Sequence, residues 1–105
     1  MYCVLWTYQV PDNLEKPAIT KLFSDVAERY LGIPGLIRKY FGFTGDGKQV
    51  IGIYLWVSKA QADEFYSPAW INDVTQRWGA VPHKTEWVVP VVAESAEGKL
   101  VKDLG

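Results

Sequence analysis

The densest apolar stretch of the chain is residues 49–57, Gln-Val-Ile-Gly-Ile-Tyr-Leu-Trp-Val, which carries no charge. Its β-branched and aromatic composition predicts a central strand. Because strand side chains alternate, one face is aliphatic and the other carries two rings and a glycine. The aliphatic set is Ile51, Ile53, Leu55 and Val57, and the second set is Val50, Gly52, Tyr54 and Trp56. We expect helices to cover the aliphatic face and the ring-bearing face to line a site.

Apolar patterning predicts further elements before this strand. Residues 2–10 are uncharged and predict another interior strand. A repeat with three- and four-residue steps then predicts an amphipathic helix that is capped by Asp12 or Asn13 and ends at Gly32. Residues 36–44 predict the next strand. The helix is expected to meet the aliphatic face of the central strand through Leu22, Phe23 and Val26.

The segment Gly45-Asp46-Gly47-Lys48 predicts a tight turn that joins two strands in a hairpin. Directly opposed residues share a face. A two- or four-residue turn gives the pairs Phe41 with Gly52, Lys39 with Tyr54, and Ile37 with Trp56. Lys39 is then the ionisable residue of that surface. A three-residue loop with a bulge would place Arg38 and Tyr40 there instead.

Helix-start signals follow the hairpin. Ser58 with Gln61 predicts a capping box, and Ser67-Pro68 predicts a second helical piece that ends at Gly79. A fourth strand is predicted over residues 83–93, which closes a domain of residues 1–93, and residues 94–105 are predicted to form a polar C-terminal arm or tail.

The element order predicts an α+β fold of the ferredoxin-like split βαβ type, with a four-stranded antiparallel sheet and helices on one face. The other face of this sheet would be too apolar for water. We therefore expect a homodimer with the aromatic sheet face at its centre.

Composition narrows the function. The 105 residues fit one domain, and 11 basic against 12 acidic residues, without long runs of like charge, argue against a nucleic-acid partner. No apolar segment is long enough to span a membrane, so no membrane partner is expected. Cys3 is the single cysteine, which excludes an internal disulfide. With no signal-peptide pattern, this indicates a cytoplasmic location. Cys3 itself is expected to be a buried, inert thiol.

The inventory of reactive residues is short. One His and one Cys do not make a transition-metal site, and no dinucleotide-binding motif is present, so no metal and no cofactor are predicted. Five Trp, six Tyr and four Phe are consistent with an aromatic core or with a ligand pocket. His83 is either a surface residue or a pH-active pocket wall.

Two segments resemble a known family. Ile33-Pro34-Gly35-Leu36-Ile37-Arg38-Lys39 and Gly52-Ile53-Tyr54-Leu55-Trp56, the latter running into a helix, resemble the monooxygenases of YdhR type in the dimeric α/β-barrel superfamily. The resemblance implies a homodimer whose two sheets face each other as a barrel, with a small pocket in each subunit. Lys39 and Tyr54 match the family pattern, and Trp56 stands at an aromatic position. Leu5 and Thr7 stand where polar first-strand residues, including a histidine, occur in a relative.

The leading hypothesis is a cofactor-independent monooxygenase for a small aromatic or apolar substrate, bound between the sheet and the second helix. Oxygen would attack a substrate carbanion, with Lys39 or His83 stabilising charge on a substrate oxygen. The ligand-binding walls are predicted to be Phe41, Tyr54, Trp56 and Trp70. The alternative is a non-catalytic small-ligand-binding or stress-related protein with the same pocket, because neither function requires a nucleophile.

Overall fold

The computed structural model describes residues 1–103, so the last two residues of the predicted tail lie outside the described residues. The elements are β1 (Tyr2–Gln9), α1 (Lys16–Val26) with a 3₁₀ turn (Ala27–Tyr30), β2 (Leu36–Phe43), β3 (Gln49–Trp56), α2 (Lys59–Phe65), α3 (Pro68–Trp78), β4 (His83–Val88), β5 (Val91–Glu94) and β6 (Lys99–Lys102). The first four strands form one antiparallel sheet in the order β2-β3-β1-β4. This arrangement confirms the predicted ferredoxin-like α+β fold.

The two faces of β3 are reversed relative to the prediction. Tyr54 and Trp56 are fully buried, and the rings of Phe65 and Tyr66, at the end of α2, pack against them. The aromatic side of the sheet is therefore the side that the chain's own helices cover. We call it the pocket face.

The aliphatic side chains lie on the opposite surface, which we call the open face. Strand pairing assigns to the open face Cys3, Leu5 and Thr7 from β1, Arg38, Tyr40 and Gly42 from β2, Ile51, Ile53 and Leu55 from β3, and His83, Thr85 and Trp87 from β4. The expected packing of the aliphatic face on α1 is therefore wrong. Phe23 of α1 packs on Phe41 and Phe43 of β2 instead.

The reason for the reversal lies in the helices. They present rings to the sheet, so the matching sheet surface is the one with rings and with space between them. The indole Nε1 of Trp56 donates a hydrogen bond to the hydroxyl of Tyr66 at 3.1 Å. A buried indole N–H usually finds such a partner, and for Trp56 the residue at the end of α2 supplies it.

The β2–β3 hairpin has the predicted register around the site. Lys39 lies opposite Tyr54, and Phe41 lies opposite Gly52. A bulge at Ile37 shifts the far end, so that Leu36 faces Trp56, and the predicted pair of Ile37 with Trp56 is wrong. The bulge lies at the end of the hairpin farthest from the turn, so Lys39 and Phe41 keep the predicted register.

Helix starts follow the sequence signals at two of three sites. The Ser58 hydroxyl accepts from the Gln61 amide at 3.2 Å, and the Ser67 hydroxyl accepts from the Trp70 amide at 3.2 Å. At α1 the N-cap is Glu15, without a side-chain cap bond, so the predicted cap at Asp12 or Asn13 is wrong. Those two residues lie in a turn that the Leu14 amide closes on the Pro11 carbonyl at 3.0 Å.

The chain leaves the sheet after Val88, earlier than the predicted end at residue 93. Pro90 has no N–H to continue the strand. The following hairpin of β5 and β6 forms an arm, and the predicted division between residues 93 and 94 falls inside β5.

The arm crosses one end of the open face. Glu94 accepts from Arg38 of β2 at 2.5 Å, although the arm departs from β4 at the opposite edge of the sheet. Cys3 on the open face is a free thiol and only 8% exposed, which confirms the expected burial. None of the described helices has the length and apolar character needed to cross a membrane.

Candidate functional site

A cavity of about 260 Å³ lies on the pocket face, between the sheet, α1 with its 3₁₀ turn, and α3. The sheet supplies Tyr8, Lys39, Phe41, Val50, Ile51 and Gly52, and the helices supply Leu22, Phe23, Val26, Arg29, Tyr30, Val74, Arg77 and Trp78. Protein ligand pockets usually span about 300 to 1,000 Å³. The cavity therefore suits a small, largely apolar ligand.

Lys39 of β2 is held within aromatic rings on the sheet side of this cavity. Its Nζ lies 3.5 Å from the ring centroid of Tyr30, 4.0 Å from that of Phe41 and 4.6 Å from that of Tyr54. Within residues 1–103 the amine has neither a hydrogen-bond acceptor nor a carboxylate partner. The ring faces attract the ammonium cation weakly, but they cannot take a proton from it.

The charge state of Lys39 follows from this environment. Burial, and then the positive charge of Arg77, lower the pKa of Lys39 to about 7. At neutral pH, Lys39 is therefore a neutral amine in a substantial fraction of the molecules. Such an amine can take a proton from a bound molecule, and the resulting ammonium can stabilise negative charge that develops beside it.

The tyrosines around Lys39 behave differently. Burial raises the pKa of Tyr54 well above its usual value, and burial also raises the pKa of Tyr8. Their hydroxyls stay neutral and can act as hydrogen-bond donors at physiological pH. Lys39 is thus the cavity residue whose protonation changes near neutral pH.

Gly52 of β3 gives Lys39 and Tyr54 their space. A Cβ at this position would lie 3.3 Å from Tyr54 Cε1 and 3.6 Å from Lys39 Cε. A side chain here would press on both residues and fill the floor of the cavity. The glycine in the otherwise β-branched strand is explained by this close approach.

The predicted site residues differ in how close they lie to the cavity. Lys39 and Phe41 line the cavity. Tyr54 lies beneath Lys39, fully buried, and Trp56 is fully buried under α2. Trp70 lines a smaller neighbouring cavity on the same side of the sheet. These five predicted residues all lie on the side covered by the helices.

His83 lies apart from the other predicted residues. It pairs with Thr7 on the open face and is exposed, so the sheet separates it from Lys39. The next residue, Lys84, is the one on the helix side, where its Nζ lies 5.5 Å from the ring centroid of Trp6. The pairing of β4 with β1 decides this, since a one-residue shift exchanges the two faces.

Several cavity residues were not predicted as site residues. Arg29 and Tyr30 come from the turn after α1, and Arg77 and Trp78 come from the last turn of α3. Arg77 and Trp78 directly precede Gly79, the C-cap of α3, and Arg29 and Tyr30 are followed by Leu31 and then Gly32. That parallel is the sequence signal that could have brought the two arginines together.

In the described part of the chain, no group of three or more His, Cys, Asp or Glu side chains could hold a metal ion.

No family model matches this chain, and no curated protein matches it. Solved structures share the fold. The structure of Rv0793 from Mycobacterium tuberculosis aligns with a TM-score of 0.65 at 15% identity, over 90% of this chain and 97% of the other. A monooxygenase from the gene ActVA-Orf6 of Streptomyces coelicolor, in complex with the ligand Nanaomycin D, aligns with a TM-score of 0.60 at 14% identity, over 84% of this chain and 86% of the other. At these identities the comparison establishes a shared fold.

Proposed function

We propose that this chain is a cofactor-independent monooxygenase that oxidises a small, electron-rich aromatic substrate in the cavity on the pocket face. The observation that carries the proposal is the amine of Lys39, which lies among three rings with its pKa lowered to about 7. Support for the reaction class comes from the shared fold with a monooxygenase that was solved with a bound small ligand. The resemblance of residues 33–39 and 52–56 to the YdhR-type family points to the same class.

The reaction can be written for anthrone as a model substrate. The neutral amine of Lys39 removes a proton from the CH₂ carbon, which leaves a carbanion conjugated with the carbonyl. Molecular oxygen accepts electrons from this carbon and bonds to it as a peroxide. Loss of the second C–H proton and cleavage of the O–O bond give a new carbonyl group and hydroxide, and the Lys39 ammonium returns its proton to form water. One oxygen atom enters the product, and the substrate supplies all four electrons.

The protein would contribute positioning and charge stabilisation. The rings of Tyr30 and Phe41 would hold a planar substrate next to the amine, where the reacting atoms need close approach. After the first proton transfer, the Lys39 ammonium would stabilise the enolate oxygen or the peroxide. His83 has no part in this scheme because it lies on the open face.

Oxygen uptake with anthrone, measured on chelator-treated protein, tests the proposal. We expect Lys39→Met to lower the rate by about 10²-fold or more, the usual contribution of a general base. His83→Ala is the matched control, since it also removes a titratable side chain, and its rate should equal that of the unmodified protein. Equal rates for Lys39→Met and the unmodified protein would contradict the proposal. Ligand binding without any oxygen uptake would favour the non-catalytic ligand-binding function.

The open face supports a second part of the proposal, a homodimer. Tyr40 and Trp87 are 53% and 43% exposed on it, beside partly exposed aliphatic residues of β3. A second copy of the chain packed sheet to sheet would cover these side chains, as the resemblance to the dimeric barrels implies. The expected dimer centre is then aliphatic, which corrects the prediction of an aromatic centre. The cytoplasm remains the proposed location, on the basis of the single buried Cys3.

A further inference from the structure

The charged residues that line the cavity all have the same sign. They are Lys39, Arg29 and Arg77, and no Asp or Glu lines the cavity with them. Each comes from a different element, which brings three cations to one space of about 260 Å³. The other walls of the cavity are mostly apolar and aromatic, so these three side chains are the charged partners available to a bound anion.

The two arginines have no counter-ion in the described residues. Neither forms a salt bridge or a side-chain hydrogen bond there. Asp73 lines the smaller adjoining cavity together with both arginines, yet among the described residues it forms no salt bridge with either of them. The charge of Arg77 nevertheless acts inside the main cavity, because it lowers the pKa of Lys39 and opposes the rise in that of Tyr8.

The three cations lie at different depths in the cavity. Lys39 is enclosed by rings at the sheet, whereas Arg29 and Arg77 are exposed, on the helices that form the opposite wall. A guanidinium binds a carboxylate through two parallel hydrogen bonds and remains charged at every physiological pH. A ligand with an acidic group at one end and a phenol at the other would satisfy both ends of the cavity.

We propose that Arg29 and Arg77 form a carboxylate subsite, so that the substrate is an aromatic acid whose phenolic or enolic end reaches Lys39. The inference rests on the proposed function, because it names the substrate class of the same cavity. Both arginines also lie near helix C-termini, where a cation is favoured by the helix dipole. A purely structural role would change stability and leave ligand choice unaffected, so the test measures ligand choice.

The experiment compares two unreactive probes by isothermal titration calorimetry: 6-hydroxy-2-naphthoate and 2-naphthol, which differ only in the carboxylate. We expect the unmodified protein to bind the acid at least about tenfold more tightly, the effect of one charge-assisted hydrogen-bond pair. Arg29→Gln and Arg77→Gln should each reduce this preference several-fold, and the double variant should remove it. The affinity for 2-naphthol should stay the same in all of them. Lys102→Gln on the arm removes one positive charge far from the cavity and should keep the full preference.

The outcomes separate the two proposals. Equal affinity for both probes, or a preference that survives in the double arginine variant, would overturn the carboxylate subsite and leave the pocket itself intact. A preference that disappears in Lys39→Met but persists without the arginines would place the acid at Lys39 and would also overturn it. If Lys102→Gln lost the preference for the acid to the same extent, the preference would reflect the net charge of the protein, which would also overturn the subsite. Binding of neither probe would overturn the subsite and count against the proposed function as well.

Discussion

The two faces of one sheet differ in what covers them, and the difference separates two tasks. The pocket face carries rings and Lys39 beneath the chain's own helices, and its central residues Tyr54 and Trp56 are fully buried. The open face carries aliphatic residues and leaves Tyr40 half exposed. Rings of irregular shape leave room for a ligand between them, whereas small branched side chains make a flat surface. The proposed ligand site and the proposed contact between copies therefore lie on opposite sides of β3.

Acidic substitutions at adjacent residues of β3 should give the largest contrast. Tyr54→Asp places an unpaired charge in the core, which costs several kcal/mol, and should unfold the protein. Ile53→Asp places the same charge on the open face and should dissociate the proposed homodimer while the subunit stays folded. Circular dichroism measures the fold, and light scattering measures the mass. A folded Tyr54→Asp variant together with an unfolded Ile53→Asp variant would reverse the assignment of the faces.

A smaller contrast concerns the cost of keeping Lys39 on the pocket face. The pKa of Lys39 is lowered to about 7 in the folded protein from 10.5, so the unfolded chain binds more protons between these values. The penalty for folding is therefore complete below pH 7 and disappears as pH rises toward 10.5. Lys39→Met should be more stable than the unmodified protein, by roughly a few kcal/mol below pH 7, with the gain shrinking above it.

Urea unfolding at pH 6 and pH 9.5 measures this gain. Lys102→Gln serves as the control, because it removes an exposed amine, and its stability should be unchanged at both pH values. A constant difference between Lys39→Met and the unmodified protein across this range would show that Lys39 titrates at its ordinary pKa. The pocket face would then hold no amine that is neutral near pH 7.

The smallest expected effect comes from one added methyl group on each face. Gly52→Ala places a Cβ 3.3 Å from Tyr54 Cε1 on the pocket face, and Gly42→Ala places one 3.2 Å from Ile51 Cγ1 on the open face. Both contacts are tight, so each variant should lose up to about 1 kcal/mol of stability. Only Gly52→Ala should weaken the binding of 2-naphthol, by several-fold. Equal weakening by Gly42→Ala would show that the ligand lies elsewhere.

Local signals in the sequence were sufficient for much of this fold. The turn glycines predict the β2–β3 hairpin, and the two- or four-residue turn among the alternatives gives the pairing of Lys39 with Tyr54 that the structure shows. The serines before α2 and α3 fix where those helices start. Each of these signals involves residues that are close in sequence, so it can be interpreted without the rest of the fold.

The remaining features depend on contacts between distant residues. Both faces of β3 are apolar, so alternation alone does not tell which face the helices cover. The position of His83 depends on the register of β4 against β1, about 80 residues apart in sequence. The two cavity arginines look like ordinary solvent-facing helix residues, and only the packing of α1 and α3 brings them together.

The central claim is that the pocket face holds an amine that is partly neutral at physiological pH. Its most direct test is an NMR titration of ¹³C-labelled lysine side chains, with Lys39→Met used to assign the Lys39 resonance. We expect the Lys39 Cε signal to titrate with a midpoint near pH 7. A midpoint near 10.5, the ordinary pKa of a lysine side chain, would contradict it.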